Sequence, residues 1–220
     1  MNRAPIELTS FHHVYNRGTE KRHIFMDEGD RKLFLKYLYL LNDADIESPS
    51  RNMLASDKTE TVVHKLVNLC AFCLMPNHFH LLLYECTEGG ISKFMQRLGI
   101  AYTMYFNEKY ARSGGLFQGT FKSRLIEDEA YLMRTIDYLH MNPIQHKDEE
   151  GAKMSLRKND FATLDTYPWS SYRDYCGEIL HPHILQREVL HDYIKLPKDY
   201  RAWLLEQNDF TDLGSLAIDG

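Results

Sequence analysis

The sequence predicts an α+β fold in which helices pack on a mostly antiparallel sheet. Stretches rich in β-prone and aromatic residues alternate with stretches in which apolar residues recur every three or four positions. Gly, Pro and Asn residues separate these stretches, as they do at turns. The resulting order is β, α, β, β, α, β, α. Its first six elements follow the βαββαβ pattern of a ferredoxin-like sandwich.

The first half of the chain contributes four of these elements and one long loop. Asp27 can cap the first helix, and Pro76 with Asn77 separates two strands that therefore form a hairpin. The loop carries Asp, Ser, Pro and Asn residues without any periodicity. The predicted order is a strand at residues 10–16, a helix at 27–41, the loop at 42–58, and strands at 61–74 and 78–84.

The second half contributes the remaining three elements and an extension. The predicted order is a helix at residues 91–110, a strand at 116–127 and a helix at 128–141. The last helix ends before Pro143, because proline disfavours helical geometry in the residue that precedes it. We predict one domain at residues 1–150 and a C-terminal, partly helical extension at 151–220 that packs on this domain.

The composition is that of a globular protein: 44% of the residues are hydrophobic and 26% are charged. No run of eighteen apolar residues and no signal-peptide core occurs, so we expect a cytoplasmic protein without a membrane partner. Cys70 and Cys73 form a CxxC pair, but no second pair completes a zinc site. We therefore expect buried free thiols.

Charge is unevenly distributed along the chain. The formal net charge is −5, which argues weakly against a nucleic-acid partner. Between residues 91 and 124, however, six basic residues face one acid, which gives a local charge of +5. This pattern is compatible with a DNA-binding face and equally with a solvated helix face.

His78, Phe79 and His80 form the first motif with chemical potential. Residues two apart on a strand lie on the same face, so both imidazoles can reach one metal ion while Phe79 enters the core. An HxH motif alone is weak, because paired histidines on a strand are more often surface or core residues. This strand is otherwise apolar, so two polar rings at its start need partners.

Tyr138 and Asn142 form the second motif. Their spacing of four places them on one face of a helix, where they offer a phenol oxygen and an amide oxygen. A buried tyrosine and a C-capping asparagine would explain the same pattern. Two histidines and one amide oxygen could hold a divalent ion that polarises a phosphodiester, and a tyrosine could then attack the phosphorus.

Four stretches of the chain resemble one known family. They are HHVYNRGTEKRHIFMDEGDRKLFL, AFCLMPNHFHLLL, LFQGTFKSRLIEDEAYLMRTIDYLHMNP and PWSSYRDY, and they run in order from His12 to Tyr175. In this order they are similar to the REP-associated tyrosine transposases, a branch of the HUH-type single-strand transposases. The resemblance implies that residues 1–150 are a catalytic domain acting on single-stranded DNA near palindromic hairpins.

The resemblance also implies roles for individual residues. It implies that His78 and His80 bind the metal, that Asn142 is the third ligand, that Tyr138 is the nucleophile and that the ion is Mg²⁺ or Mn²⁺. Two stretches depart from the family pattern: the loop at residues 42–58 is longer, and the acidic IQHKDEEG follows Pro143. The acidic stretch would weaken DNA contacts without changing the metal site.

Basic residues supply the predicted DNA contacts, because lysine and arginine suit phosphates. These residues are Arg17, Lys21, Arg22, Lys93, Arg97, Lys122 and Arg124. Tyr102 and Tyr105 are candidates for stacking on unpaired bases, although their helical spacing also fits a core position. A monomer is favoured over a dimer because the link between the strand ending at Glu127 and the tyrosine helix is short.

Two other functions are compatible with parts of the sequence. A protein that binds hairpin DNA without catalysis would need neither metal ligands nor a nucleophile, whereas all four of these residues are present. A metal hydrolase of small molecules would use Tyr138 only structurally. Replacing Tyr138 with phenylalanine separates these functions, because only a nicking enzyme would lose a covalent DNA adduct.

Overall fold

Four antiparallel strands form one sheet in the part of the chain that the computed structural model describes, residues 8–46, 62–144 and 160–207. The strand order is β2-β3-β1-β4, and each neighbouring pair is antiparallel. This is the order of a ferredoxin-like βαββαβ sheet, so the predicted fold class is confirmed. The strands are β1 (Phe11–Arg17), β2 (Val67–Met75), β3 (His78–Glu85) and β4 (Lys122–Ile126).

Within the described residues, three longer helices connect and cover this sheet, and three short ones follow. The side chain of Asp27 accepts a hydrogen bond from Asp30 N at 2.9 Å, which confirms the predicted cap of the first helix. Asp128 caps the third helix in the same way through Tyr131 N. The helices are α1 (Glu28–Leu40), α2 (Gly90–Lys109), α3 (Glu129–Met141), α4 (Asp160–Thr166), α5 (Tyr172–Tyr175) and α6 (Tyr200–Glu206).

The sheet separates two hydrophobic cores. Alternate residues of the strands face α1 and α2 on one side, with Val14, Phe72 and Phe79 among them. The other set, which includes Phe11 and Leu82, faces α3 and the C-terminal helices. Phe79 therefore enters the core as predicted, and its two histidine neighbours face α3.

A buried ionic cluster joins α1 to α2. Asp30 is fully buried, and its carboxylate accepts hydrogen bonds from Lys109 Nζ at 2.7 Å and from the hydroxyls of Tyr105 and Tyr110 at 2.8 Å. Tyr102 is also fully buried and donates to the carbonyl of Ile24. The suggestion that Tyr102 and Tyr105 stack on DNA bases is therefore wrong, because packing and hydrogen bonds within the domain occupy both side chains.

Strand β4 is shorter than the sequence predicts. The prediction covered residues 116–127, whereas the strand comprises Lys122–Ile126. Gln118 N still donates to the carbonyl of Arg17, but Gly119 adopts a φ of +89°. The chain bends at this glycine, because this backbone conformation is incompatible with an extended strand.

The C-terminal segment covers the outer edge of β2. The amides of Leu74, Ser171 and Gln186 donate to the carbonyls of Trp169, Phe72 and Leu69, respectively, at 2.8–3.0 Å. An exposed sheet edge would leave such backbone groups unpaired, so this segment completes the sheet. The segment thus packs on the domain. The predicted domain boundary at 150/151 and most of the predicted loop at residues 42–58 lie outside the described residues.

Cys70 and Cys73 are buried free thiols, as predicted. Burial raises the pKa of both thiols, which makes them poor metal ligands and poor nucleophiles. Among the described residues, every helix is too short or too polar to cross a bilayer.

Candidate functional site

The strand register brings one row of polar side chains together on the sheet face that α3 covers. His78 pairs with Arg17 of β1 and His80 pairs with Tyr15, so all four side chains lie on the same face. The same row continues into β4, where Lys122 pairs with Tyr15. The site therefore lies where the ends of β1 and β3 meet, beside the Pro76–Asn77 turn.

His78 lies between two amide oxygens. Its Nε2 is 3.1 Å from Asn142 Oδ1, and its Nδ1 is 2.6 Å from Asn77 Oδ1. Asn142 is the C-cap of α3, and only 6% of its surface is exposed. The helix thus delivers the predicted third ligand directly to the predicted first ligand, although the two residues are 64 positions apart.

His80 lies deeper and has one nitrogen without a partner. Its Nδ1 is 2.8 Å from His13 Nε2, whereas its buried Nε2 has no hydrogen-bond partner among the described residues. Burial, reinforced by His13 and His78, holds the pKa of His80 well below its ordinary value. His80 is therefore a neutral imidazole with an unused nitrogen, which is the form that binds metal ions.

Tyr138 packs against this histidine cluster from α3. Its ring meets the ring of His80 edge-on, with centroids 5.3 Å apart, and that of His13 at 5.8 Å. Tyr138 is 2% exposed. Tyr138 and Asn142 share the face of α3 that covers the sheet, as their spacing of four predicts.

The arrangement fits a divalent cation. Within the described residues no cluster of three His, Cys, Asp or Glu side chains could hold a metal, so the amide of Asn142 would have to complete the set. The 3.1 Å between His78 Nε2 and Asn142 Oδ1 matches the spacing of about 3 Å expected for adjacent ligands of an octahedral ion. The unpartnered Nε2 of His80, whose ring centroid lies 5.1 Å from that of His78, is the third candidate donor. Two imidazoles and an amide oxygen suit Mn²⁺ better than Mg²⁺, which prefers oxygen.

Several predicted DNA contacts lie at or near this site. Arg17, Lys122 and Arg124 project from the site face of β1 and β4. Arg124 is close enough to His13 to lower the pKa of that imidazole. The backbone of Lys21 accepts a hydrogen bond from Asn77, and its side chain is exposed beside the hairpin turn. These four residues form a basic rim around the cluster.

The other three predicted DNA contacts, Arg22, Lys93 and Arg97, are not part of this rim. Arg97 is 8% exposed, and its guanidinium donates to the backbone carbonyls of Leu41, Asp43 and Ile46. Arg97 therefore anchors the segment after α1, and its burial argues against a DNA contact. Lys93 is exposed on α2, in the layer on the other side of the sheet, and Arg22 pairs with Glu20 at 3.1 Å.

His13 is a site residue that the sequence reasoning did not single out. It is fully buried, and burial together with the nearby Arg124 lowers its pKa to about 3. Its ring is nearly parallel to that of His80, with centroids 5.0 Å apart, and the hydrogen bond joins the edges of the two rings. Strand parity could have placed His13 on the same face as Tyr15 and Arg17, but its contact with His80 depends on the register between β1 and β3.

Comparison with known proteins agrees with the motifs. The model of the IS200-like transposase family matches residues 46–142, a range that contains His78, His80, Tyr138 and Asn142. A Haemophilus influenzae protein described as a REP-associated tyrosine transposase is 28% identical over 142 aligned positions, and the match covers 58% of this chain and 72% of that protein.

A solved structure, that of a REP-associated tyrosine transposase bound to a REP hairpin, is also similar. The match covers 84% of this chain and 90% of that chain, with 12% identity and a TM-score of 0.49. The family model and the Haemophilus influenzae relative confirm the predicted resemblance: the chain is similar to the IS200-like transposases over residues 46–142 and to a REP-associated tyrosine transposase.

Proposed function

We propose that the protein is a transposase-like endonuclease that nicks and rejoins single-stranded DNA near palindromic hairpins. Tyr138 would be the nucleophile, and His78, His80 and Asn142 would hold Mg²⁺ or Mn²⁺. One observation carries the proposal: the Tyr138 ring, the unpartnered His80 Nε2 and the 3.1 Å His78–Asn142 pair occur in a single cluster between α3 and the sheet. The family relationship supports the same assignment.

In the proposed reaction the phenol oxygen of Tyr138 attacks the phosphorus of a phosphodiester. The phenol gives up its proton as the phosphotyrosine bond forms, and the bond between phosphorus and one deoxyribose oxygen breaks. That oxygen takes up one proton in exchange and leaves as a DNA hydroxyl. A bound divalent cation would polarise the phosphate and stabilise its negative charge. Rejoining reverses the step: a DNA hydroxyl attacks the phosphotyrosine, and Tyr138 regains its proton.

The chain would position the DNA through the basic rim. Arg17, Lys122 and Arg124 lie on the face that carries the histidines, so phosphates bound there would lie beside Tyr138. Hairpin DNA is the proposed substrate because the Haemophilus influenzae relative is described as a REP-associated tyrosine transposase. One chain supplies all four central side chains, which favours a monomer.

One observation favours the alternative, a protein that binds hairpin DNA without cleaving it. Tyr138 is 2% exposed, and a nucleophile must reach its substrate. Catalysis therefore requires that DNA binding opens the contact between α3 and the histidines. A binding protein would have no such requirement.

A nicking assay separates the two functions. The protein would be mixed with labelled single-stranded hairpin DNA and Mn²⁺ or Mg²⁺, and the products separated on a denaturing gel. We expect a metal-dependent, protein-linked DNA band that Tyr138→Phe abolishes. Tyr131→Phe, two turns earlier on α3, is the matched control and should keep the band. Hairpin DNA that is bound but uncut over a broad substrate set would support the binding protein and refute the enzyme.

A further inference from the structure

His13 is the inner neighbour of the proposed metal ligand His80. Its Nε2 lies 2.8 Å from His80 Nδ1, and the two rings are nearly parallel, with an interplanar angle of 20°. Both imidazoles are fully buried. The pair therefore shares one hydrogen bond that is protected from water.

The direction of this hydrogen bond decides whether His80 can bind a cation. If His80 Nδ1 donates, the proton is on Nδ1 and the Nε2 lone pair is available. If His13 Nε2 donates, His80 must carry its own proton on Nε2, and that nitrogen cannot act as a ligand. Metal-binding histidines nearly always donate their other ring N–H to an acceptor. In this protein His13 Nε2 is positioned as that acceptor.

The unpartnered nitrogens support the first arrangement. Among the described residues His80 Nε2 and His13 Nδ1 are both buried without a hydrogen-bond partner. An N–H on His80 Nε2 would be an unsatisfied donor at the centre of the site, whereas a lone pair there can be satisfied by a cation. If His13 accepts, its own Nδ1–H is a buried donor without an acceptor among the described residues, while a cation satisfies His80 Nε2. If His13 donates, the Nε2–H of His80 and the Nδ1 lone pair of His13 are both left unsatisfied. The arrangement in which His13 accepts therefore leaves fewer unsatisfied groups.

We propose that His13 is a positioning residue: it accepts a hydrogen bond from His80 Nδ1 and so presents the His80 Nε2 lone pair to a divalent cation. This inference rests on the proposed function of His80 as a metal ligand. It assigns His13 a role in cation affinity that does not require contact with the cation or with DNA.

Titration of the purified protein with Mn²⁺, followed by calorimetry and by water-proton relaxation, tests this role. His13→Phe keeps a flat ring but removes the acceptor, and we expect the Mn²⁺ affinity to fall 10–100-fold. His13→Gln restores an acceptor oxygen and should recover part of the loss. His12→Phe is the matched control: His12 is equally buried but bonds to Ser123 and Ser10, so the affinity should not change.

The outcomes distinguish this inference from the proposed function. If the unaltered protein does not bind Mn²⁺, the proposed metal site is wrong. If it binds and His13→Phe binds equally well, only the role of His13 is refuted. Long-range ¹H–¹⁵N NMR spectra of the unaltered protein give an independent test if His13→Phe does not fold. They should show the His80 proton on Nδ1, and a proton on Nε2 would overturn the inference.

Discussion

Asp137 offers a test of how the C-terminal extension is attached to the helix that carries Tyr138. Its side chain is 4% exposed, accepts a hydrogen bond from Tyr200 at 2.8 Å and another from the indole of Trp203 at 3.2 Å. Burial raises its pKa from 3.8 to about 6, and the two hydrogen bonds only partly oppose this effect. Asp137 therefore holds its proton more tightly in the folded protein than in the unfolded chain.

The sign and size of the pH effect follow from this shift. The pKa of Asp137 in the folded state lies above its ordinary value. The contribution of Asp137 to the unfolding free energy is therefore fully present below about pH 4 and is lost as the pH rises to about 6. A rise of the Asp137 pKa from 3.8 to about 6 corresponds to roughly 3 kcal/mol. Asp137→Asn removes this titration, so the unfolding free energy of the unaltered protein minus that of the variant should fall by roughly 3 kcal/mol between pH 4 and 7.

Urea denaturation at a series of pH values, followed by tryptophan fluorescence, measures this difference. Titrations of distant groups cancel in the subtraction, because they are common to both proteins. Asp165→Asn is the control, because it removes a carboxylate that pairs with Arg201 at the surface and is not buried. Parallel curves for Asp137→Asn and the unaltered protein would refute the reasoning and would show that Asp137 is not buried as an isolated carboxyl group.

Three further predictions concern packing and DNA binding. Lys109→Met leaves the buried Asp30 carboxylate without its cation, so the unfolding free energy should fall by about 3 kcal/mol in urea; a loss below about 1 kcal/mol would contradict this. Gly90→Ala places a Cβ 2.3 Å from a backbone oxygen and should lower the Tm. Gly99→Ala in the same helix meets no atom within 4 Å and should raise the unfolding free energy by about 1 kcal/mol. Equal changes in Tm for the two variants would contradict this. Lys122→Gln should reduce the slope of log affinity against log salt concentration for hairpin binding by about one, measured in a filter-binding assay. An unchanged slope would show that Lys122 of β4 does not contact DNA phosphates.

Local sequence patterns were sufficient for the order of the elements, though not for the bounds of β2 and β4, and for two pairs of site residues. Strand parity places His78 and His80 on one face, and helical spacing does the same for Tyr138 and Asn142. Both rules depend only on neighbours within about four positions. The caps at Asp27 and Asp128 could be predicted for the same reason, since a cap bonds to an amide three residues later.

Tertiary structure alone decided which distant residues meet. The contact between His13 and His80 spans 67 positions and requires the register of β1 against β3, which no local pattern specifies. By residue type Arg97 would be expected at the surface, yet it is buried, because its guanidinium donates hydrogen bonds to three backbone carbonyls after α1. The sequence by itself therefore determined which side chains could act together on one element. The packing of α3 across the sheet determined that the two pairs form one site, because only long-range burial brings the tyrosine helix over the histidine strand.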